Sequence, residues 1–274
     1  VFDPANSLVP LGIDFLYANT TDGTVNTADK TPPVTTAMNQ LAGFSTVAPI
    51  YLNMRGALNP ASLTEDSSVF LLKIKNTHDG KALDAVDLTK TLLAVGALTP
   101  TADGGVTLVP VKFADAFADS QHAAADYSVD QVILINKDKI TGVVSQVPTI
   151  RITLNKPLEP RTKYMVVVTN KVEDASSNKI VPPAFYDLAR GDDVLPSAAL
   201  KGVRSLVKLW DGMAKTKLAM SGKLNLAGGE DVVLSYTFTT DDALNALVSY
   251  AAPEIFFKNN LELEAAENLA DKAK

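Results

Sequence analysis

Residues Pro148–Ile180 read PTIRITLNKPLEPRTKYMVVVTNKVEDASSNKI, and the periodicity of this stretch sets the fold class. Ile150, Ile152 and Leu154 alternate with Arg151, Thr153 and Asn155, the period of two of a strand with one buried face. Leu158, Pro160, Thr162, Tyr164, Val166 and Val168 repeat that period after a turn containing Pro157 and Pro160. Proline fixes φ and lacks a ladder donor, so both prolines belong in the corner between the strands. Asp174, Ser176, Ser177 and Asn178 then supply turn-forming side chains that close the second strand.

The order Leu158-x-Pro160-x-Thr162-x-Tyr164-x-Val166 resembles the corner of immunoglobulin-like and fibronectin-type sandwiches. There a tyrosine hydroxyl bonds back to upstream backbone. Tyr164 is accordingly expected to lock a corner rather than to react.

Outward from this pair, strands are expected at Ile50–Met54, Val69–Ile74, Val106–Phe113, Val132–Ile135 and Asp231–Thr240, giving seven in all. Asn59-Pro60 marks a turn with Leu63 packed beneath it. Residues 1–45 are rich in Pro, Asn, Asp and Thr and read as an ordered leader, with a strand fragment after Asp22-Gly23 and a short helix over Thr35–Gly43. His78–Lys81 and Asp103-Gly104-Gly105 read as turns, Leu88–Val95 is ambiguous, and Phe113–Asp130 reads as a loop with one helical turn.

The period changes after Pro196-Ser197. Leu200, Val203, Val207, Trp210 and Ala214 recur at spacings of three and four, with Lys201, Arg204, Lys208, Asp211 and Lys215 on the other side. Ser197 is a candidate cap, and Trp210 an apolar anchor. A further helix is expected over Asp241–Tyr250, ended by Pro253, with weakly amphipathic helical character over Lys258–Lys274. The expected architecture is mainly β: an immunoglobulin-like antiparallel β-sandwich over 46–240, with a helical insertion near 183–220. The leader over 1–45 and a helical segment over 241–274 flank it.

Composition narrows the function classes. Of 274 residues 46% are apolar and 20% charged, ordinary for a globular chain. The net charge of -6, with no basic block, argues against a nucleic-acid partner. Zero cysteine removes disulfides, thiolate nucleophiles and cysteine-bound zinc. Only His78 and His122 are available as imidazoles, both in polar, loop-like contexts. No apolar run is long enough to span a bilayer. The chain starts at Val1 and ends in a charged tail, which reads as two cuts in a longer protein.

A hydrolase elbow needs G-x-S-x-G, and Gly43-Phe44-Ser45-Thr46-Val47 lacks the second glycine and precedes a strand. The acidic pairs Asp192-Asp193, Glu230-Asp231 and Asp241-Asp242 read as turn and cap residues. Asp115, Asp119, Asp126 and Asp130 match no calcium loop. Gly104-Gly105 and Gly228-Gly229 lack the lysine and further glycine of a phosphate loop. The expected catalytic, cofactor-binding and metal residues are therefore none.

The segments FDPANSLVPLGIDFLYANTTDGTVN, LAGFSTVAPIYLNMRGALNPASL, LNKPLEPRTKYMVVVTNKVEDASSNKI and EDVVLSYTFTT resemble, in that order, the N-terminal region of the bacterial virulence-factor lipases, across most of residues 2–240. The resemblance implies that lipase chemistry belongs to a downstream α/β-hydrolase domain, so no catalytic residue carries over. It also implies export to the cell surface or medium, with that domain, and lipid or cell surfaces, as partners. A surface adhesin or carbohydrate-binding module of the same sandwich class is the alternative, and an independent esterase a third.

Overall fold

The computed structural model describes residues 2, 13–17, 43–74, 98–100, 106–108, 117, 123–137, 142–195 and 201–241. The sequence expectations at Asp22-Gly23, Thr35–Ala42, His78–Lys81, Leu88–Val95, Asp103–Gly105, Pro196–Leu200 and beyond Asp241 lie outside these residues.

Eight strands appear among the described residues: β1 (Ile50–Asn53), β2 (Val69–Lys73), β3 (Leu98–Pro100), β4 (Val106–Leu108), β5 (Tyr127–Lys137), β6 (Val144–Leu154), β7 (Lys163–Thr169) and β8 (Val232–Thr239). They form two three-stranded antiparallel sheets, ordered β1-β6-β5 and β2-β7-β8, and a separate β3-β4 pair. Helices α1 (Ala184–Arg190) and α2 (Lys201–Met220) stand between β7 and β8. The protein is thus mainly β, with few helices. Leu52, Val129, Ile150 and Ile152 of the first sheet share one core with Phe70, Tyr164, Val166 and Tyr236 of the second, an arrangement compatible with a sandwich.

The focal stretch folds as its pattern dictates. Ile150 and Ile152 are fully buried while Arg151 and Thr153, which alternate with them, are not. Pro157 and Pro160 fall in the corner between β6 and β7. Tyr164 is buried and its hydroxyl accepts the Glu159 backbone N–H at 3.1 Å. Its ring stacks on Phe238 at 5.8 Å. The Asp174 carboxylate accepts N–H bonds from Ser176 (2.8 Å) and Asn178 (2.9 Å), which holds Ser177 at a φ of 62°.

Three expectations need correction. The strand expected over Val132–Ile135 is eleven residues long, because Tyr127 and Val129 extend its buried face back into the stretch read as a loop. Among the described residues a 3-10 turn at Ala124–Asp126 precedes it. The strands after the corner and after Gly229 do not keep one exposed face: every residue of β7 and of β8 is buried. In β8 even the polar alternate residues Ser235, Thr237 and Thr239 are each at most 1% exposed. Finally, Asp211 is not on an open face of α2 but buried.

The cover over β8 explains this. α2 packs on β8 and α1 on α2. The Tyr186 hydroxyl of α1 lies 2.7 Å from Ser235 Oγ. Thr239 donates to Asp14 at 2.8 Å, and the same carboxylate pairs with Lys163 at 2.8 Å, both charges nearly out of water. Asp14 thereby ties a 3-10 turn at Asp14–Tyr17 to β7 and β8, with Phe2 edge-on to Tyr186 nearby. Gly43 passes so close to β8 that a Cβ there would sit 2.3 Å from the Asp241 nitrogen, and Phe44 bridges Thr240. Only glycine fits at that crossing.

The two buried tyrosines Tyr164 and Tyr236 predict opposite outcomes on losing a hydroxyl. Tyr164→Phe strands the Glu159 N–H and is expected to cost about 1–2 kcal/mol in urea unfolding. The Tyr236 hydroxyl has no partner among the described residues, so Tyr236→Phe is expected to be neutral or stabilising.

Burial pushes the Tyr127 and Tyr164 hydroxyls up to about 12, even though backbone N–H groups of Asp66 and Glu159 bond to them. Between pH 10 and 12 the unfolded chain therefore holds fewer tyrosine protons than the folded one. Stability is expected to fall as pH rises through that window, read from urea midpoints at pH 9 and pH 11. Equal midpoints would contradict it.

Candidate functional site: an apolar cleft beside a closed ionic network

Two polar or concave features stand out. The first is the network beneath α1 and α2. Arg190 of α1 bonds Asp187 (2.9 Å), Asp231 (2.8 Å) and the Val232 carbonyl (2.9 Å). Lys215 of α2 pairs with Asp211 (2.8 Å) and Asp231 (2.9 Å), and Asp211 lies 3.8 Å from Arg190. Tyr186 reaches both Ser235 and Asp211. The charges neutralise one another locally, which is how a buried ionic set avoids a large desolvation cost.

The pKa shifts follow from this packing. Burial raises Asp211, with Lys215 and Arg190 pulling back less strongly. Asp231 is also penalised by burial, but Lys215 and Arg190 outweigh the penalty and hold it below the ordinary range. For Arg190 burial opposes the charge, and Asp231 and Asp211 more than offset it. Burial drives the Tyr186 hydroxyl well up, so it stays a neutral hydrogen-bonding group. The network joins α1, α2 and the start of β8 as a clasp.

The second feature is a cleft of about 800 Å³. It lies against β1 and β8, each an edge strand of its own sheet. Leu52 and Met54 line one side, Val168, Val233 and Leu234 another, and Ile180–Ala184 run along it on the approach to α1. Its polar lining is Arg55, Asp174, Lys179, Asp187 and Arg190. Asp187 is taken up by Arg190, and Asp174 by its turn N–H groups and Asn178. Arg55 and Lys179 are exposed and make no hydrogen bond or ion pair among the described residues. Sequence reasoning missed this cleft, since its walls come from segments more than a hundred residues apart.

The residues weighed in the sequence are mostly engaged in local structure. Ser45 is exposed, and its Oγ accepts from the Val47 and Ala48 N–H groups at 3.2 and 3.0 Å, a turn. Asp192 pairs with Lys208. Glu230 accepts the Asn225 N–H (2.7 Å), the main reason its carboxyl is held low, and pairs with Lys171 at 3.2 Å. Asp126 accepts from Ala123 N, and Asp130 forks onto Arg151. Asp115, Asp119, His78, His122 and Asp242 lie outside the described residues. Trp210 is 1% exposed, an anchor as expected. Gly229 takes a φ of 78° as the cap of a 3-10 turn. No group of three or more His, Cys, Asp or Glu suited to a metal occurs among the described residues. Nor is any described helix long and apolar enough to cross a membrane.

These features define a class: a layered antiparallel β module carrying an inserted helical cover. The family model for the bacterial virulence factor lipase N-terminal region matches residues 111–256, more than half of the chain, and the chain belongs to that family. The match takes in β5 to β8, the tyrosine corner and both helices. The opening segment from Phe2, part of the resemblance read from sequence, precedes it. No curated protein and no solved structure matches.

Asp231→Asn tests the clasp. The native carboxylate contributes stability that is complete above about pH 4 and is lost as pH falls through its depressed folded value. Asp211, shifted up, acts in the opposite sense on acidification. The substitution is expected to cost about 1–2 kcal/mol at pH 7, allowing for partial exposure, and less at pH 3. Urea midpoints that change equally at both pH values would contradict this.

Proposed function

We propose that this chain is the non-catalytic, immunoglobulin-like N-terminal region of an exported bacterial lipase or esterase. In this reading it supports or presents an α/β-hydrolase domain that follows in the same polypeptide. The observation that carries the proposal is membership of the lipase N-terminal family, with the match lying on the layered β core.

The immunoglobulin-like reading draws support from strand order. Taken along the chain, β1-β6-β5 and β2-β7-β8 correspond to the B-E-D and C-F-G sheets of that sandwich. Tyr164 then stands at the start of strand F, with its hydroxyl on backbone five residues upstream, as in a tyrosine corner. The departures are the two helices inserted between F and G and the absence of any cysteine to bridge B and F. On this reading residues 1–45 are a leader, 46–240 the sandwich with its helical insertion, and 241–274 the approach to the hydrolase. Engagement of the carboxylates and Ser45 in turns, caps and ion pairs favours support over catalysis. The adhesin alternative draws little from the surface, where Tyr51 is the one strongly exposed aromatic ring among the described residues.

Deleting residues 1–240 from the parent protein tests the role. The proposal expects lower soluble yield, or loss of activity on aggregated long-chain esters with short-chain esters spared. Unchanged yield and unchanged turnover of both substrates would rule out support and presentation alike. Turnover of a p-nitrophenyl ester by the 1–274 chain, abolished by a serine-reactive phosphonate, would overturn the non-catalytic reading.

A further inference from the structure

The cleft beside β1 and β8 combines an apolar wall with two exposed cations. Leu52, Met54, Ile180 and Val181 supply hydrocarbon, and Val181 is 78% exposed. In a chain of net charge -6, neither Arg55 nor Lys179 at this cleft makes a salt bridge among the described residues, although Lys179 is near enough to Glu230 to help hold its carboxyl low, and both acids that line the cleft are occupied. Its volume falls in the range of small-molecule sites, which are mostly apolar with a few orienting polar groups. That pairing of an apolar wall with exposed positive charge selects an amphiphile with a hydrocarbon tail and an anionic head.

The surface next to the cleft extends the same chemistry. Leu52 lies opposite Ile150, and Met54 continues that register by donating its N–H to the Pro148 carbonyl at 2.7 Å. Across β6, Pro148 lies opposite Ile133 and Gln146 opposite Ile135. Directly opposed residues share a face, and alternation puts these on the face that carries buried Val129 and Ile152. Beyond the reach of β1, the core-facing side of the β5–β6 ribbon thus continues as an apolar overhang, with Ile133 46% and Ile135 74% exposed. Met54 at the cleft and Ile133 on the overhang are separated only by Pro148. The apolar surface is continuous from cleft to ribbon.

We infer that the cleft binds a single long-chain fatty carboxylate, its tail along Leu52, Met54 and Val181 and its head group at Arg55 and Lys179. The overhang is the apolar path by which the chain enters from a lipid phase. This inference rests on the cleft itself and stands whether or not the module presents a hydrolase domain.

The purified 1–274 chain is titrated with cis-parinaric acid below its micelle concentration, and with the corresponding fatty alcohol. Saturable, one-to-one binding of the acid is expected. Arg55→Ala and Lys179→Ala are each expected to weaken the acid by about threefold and leave the alcohol unchanged, as for exposed charge pairs. Val181→Asp, on an exposed side chain that the fold does not need, is expected to weaken both ligands by about tenfold or more. Ile135→Asp is expected to spare binding of the free acid and to slow its uptake from phosphatidylcholine vesicles. Absence of saturable binding overturns the inference. So does binding that ignores Val181→Asp, or that is lost with Ile135→Asp, which would move the ligand onto the ribbon. Attachment to vesicles without binding of the free acid overturns it as well.

Discussion

β7 and β8 lie hydrogen-bonded side by side with both faces out of water, and this double burial governs what surrounds them. An antiparallel sheet ordinarily keeps one face wet, and here neither is. One face of the pair is covered by the first sheet and the corner around Tyr164. The other carries Ser235, Thr237 and Thr239, whose hydroxyls cannot go unbonded without cost. Tyr186 from α1 answers Ser235, and Asp14 from the leader answers Thr239. The helices and the N-terminal turn are thus parts of the core rather than ornaments on it.

That requirement also accounts for the charges. Covering a strand end with helices buries part of the Arg190, Lys215, Asp211 and Asp231 set, and such groups are tolerated only when paired closely. With no cysteine to pin the sheets, cohesion rests on packing, on this clasp and on the Asp14–Lys163 pair. The tyrosine corner plays the same part at the other end, satisfying a backbone donor that the prolines leave exposed at the turn. The polar side chains of this scheme are engaged in holding the structure together. The cleft differs, since Arg55 and Lys179 are exposed and make no salt bridge among the described residues.

A member of the virulence-factor lipase N-terminal family with this build has one end shaped by hydrocarbon and an opposite end where the chain leaves after β8. β6 runs down into the corner and β7 back up from it, so the β5–β6 ribbon and the cleft lie away from Thr240 and Asp241. Whatever follows Asp241 begins at the far end from the apolar surface.

Local pattern alone was enough to define the corner. Alternation at Ile150 and Ile152, two prolines, and an Asx turn at Asp174 are all decided within a few residues, as is Trp210 as an anchor. The family resemblance was legible for the same reason, since its motifs are contiguous. Three things depended on tertiary structure. The burial of the polar Ser235-Thr237-Thr239 face is one, because alternation reports side-chain polarity and cannot report that a helix arriving from elsewhere covers it. Asp211 followed the charged rhythm of α2 but faces Arg190 and Lys215 across an interface that no local window contains. The cleft is set by the approach of β1, β8 and the segment before α1, and proximity between distant segments is a property of the packed chain, not of any stretch of its sequence.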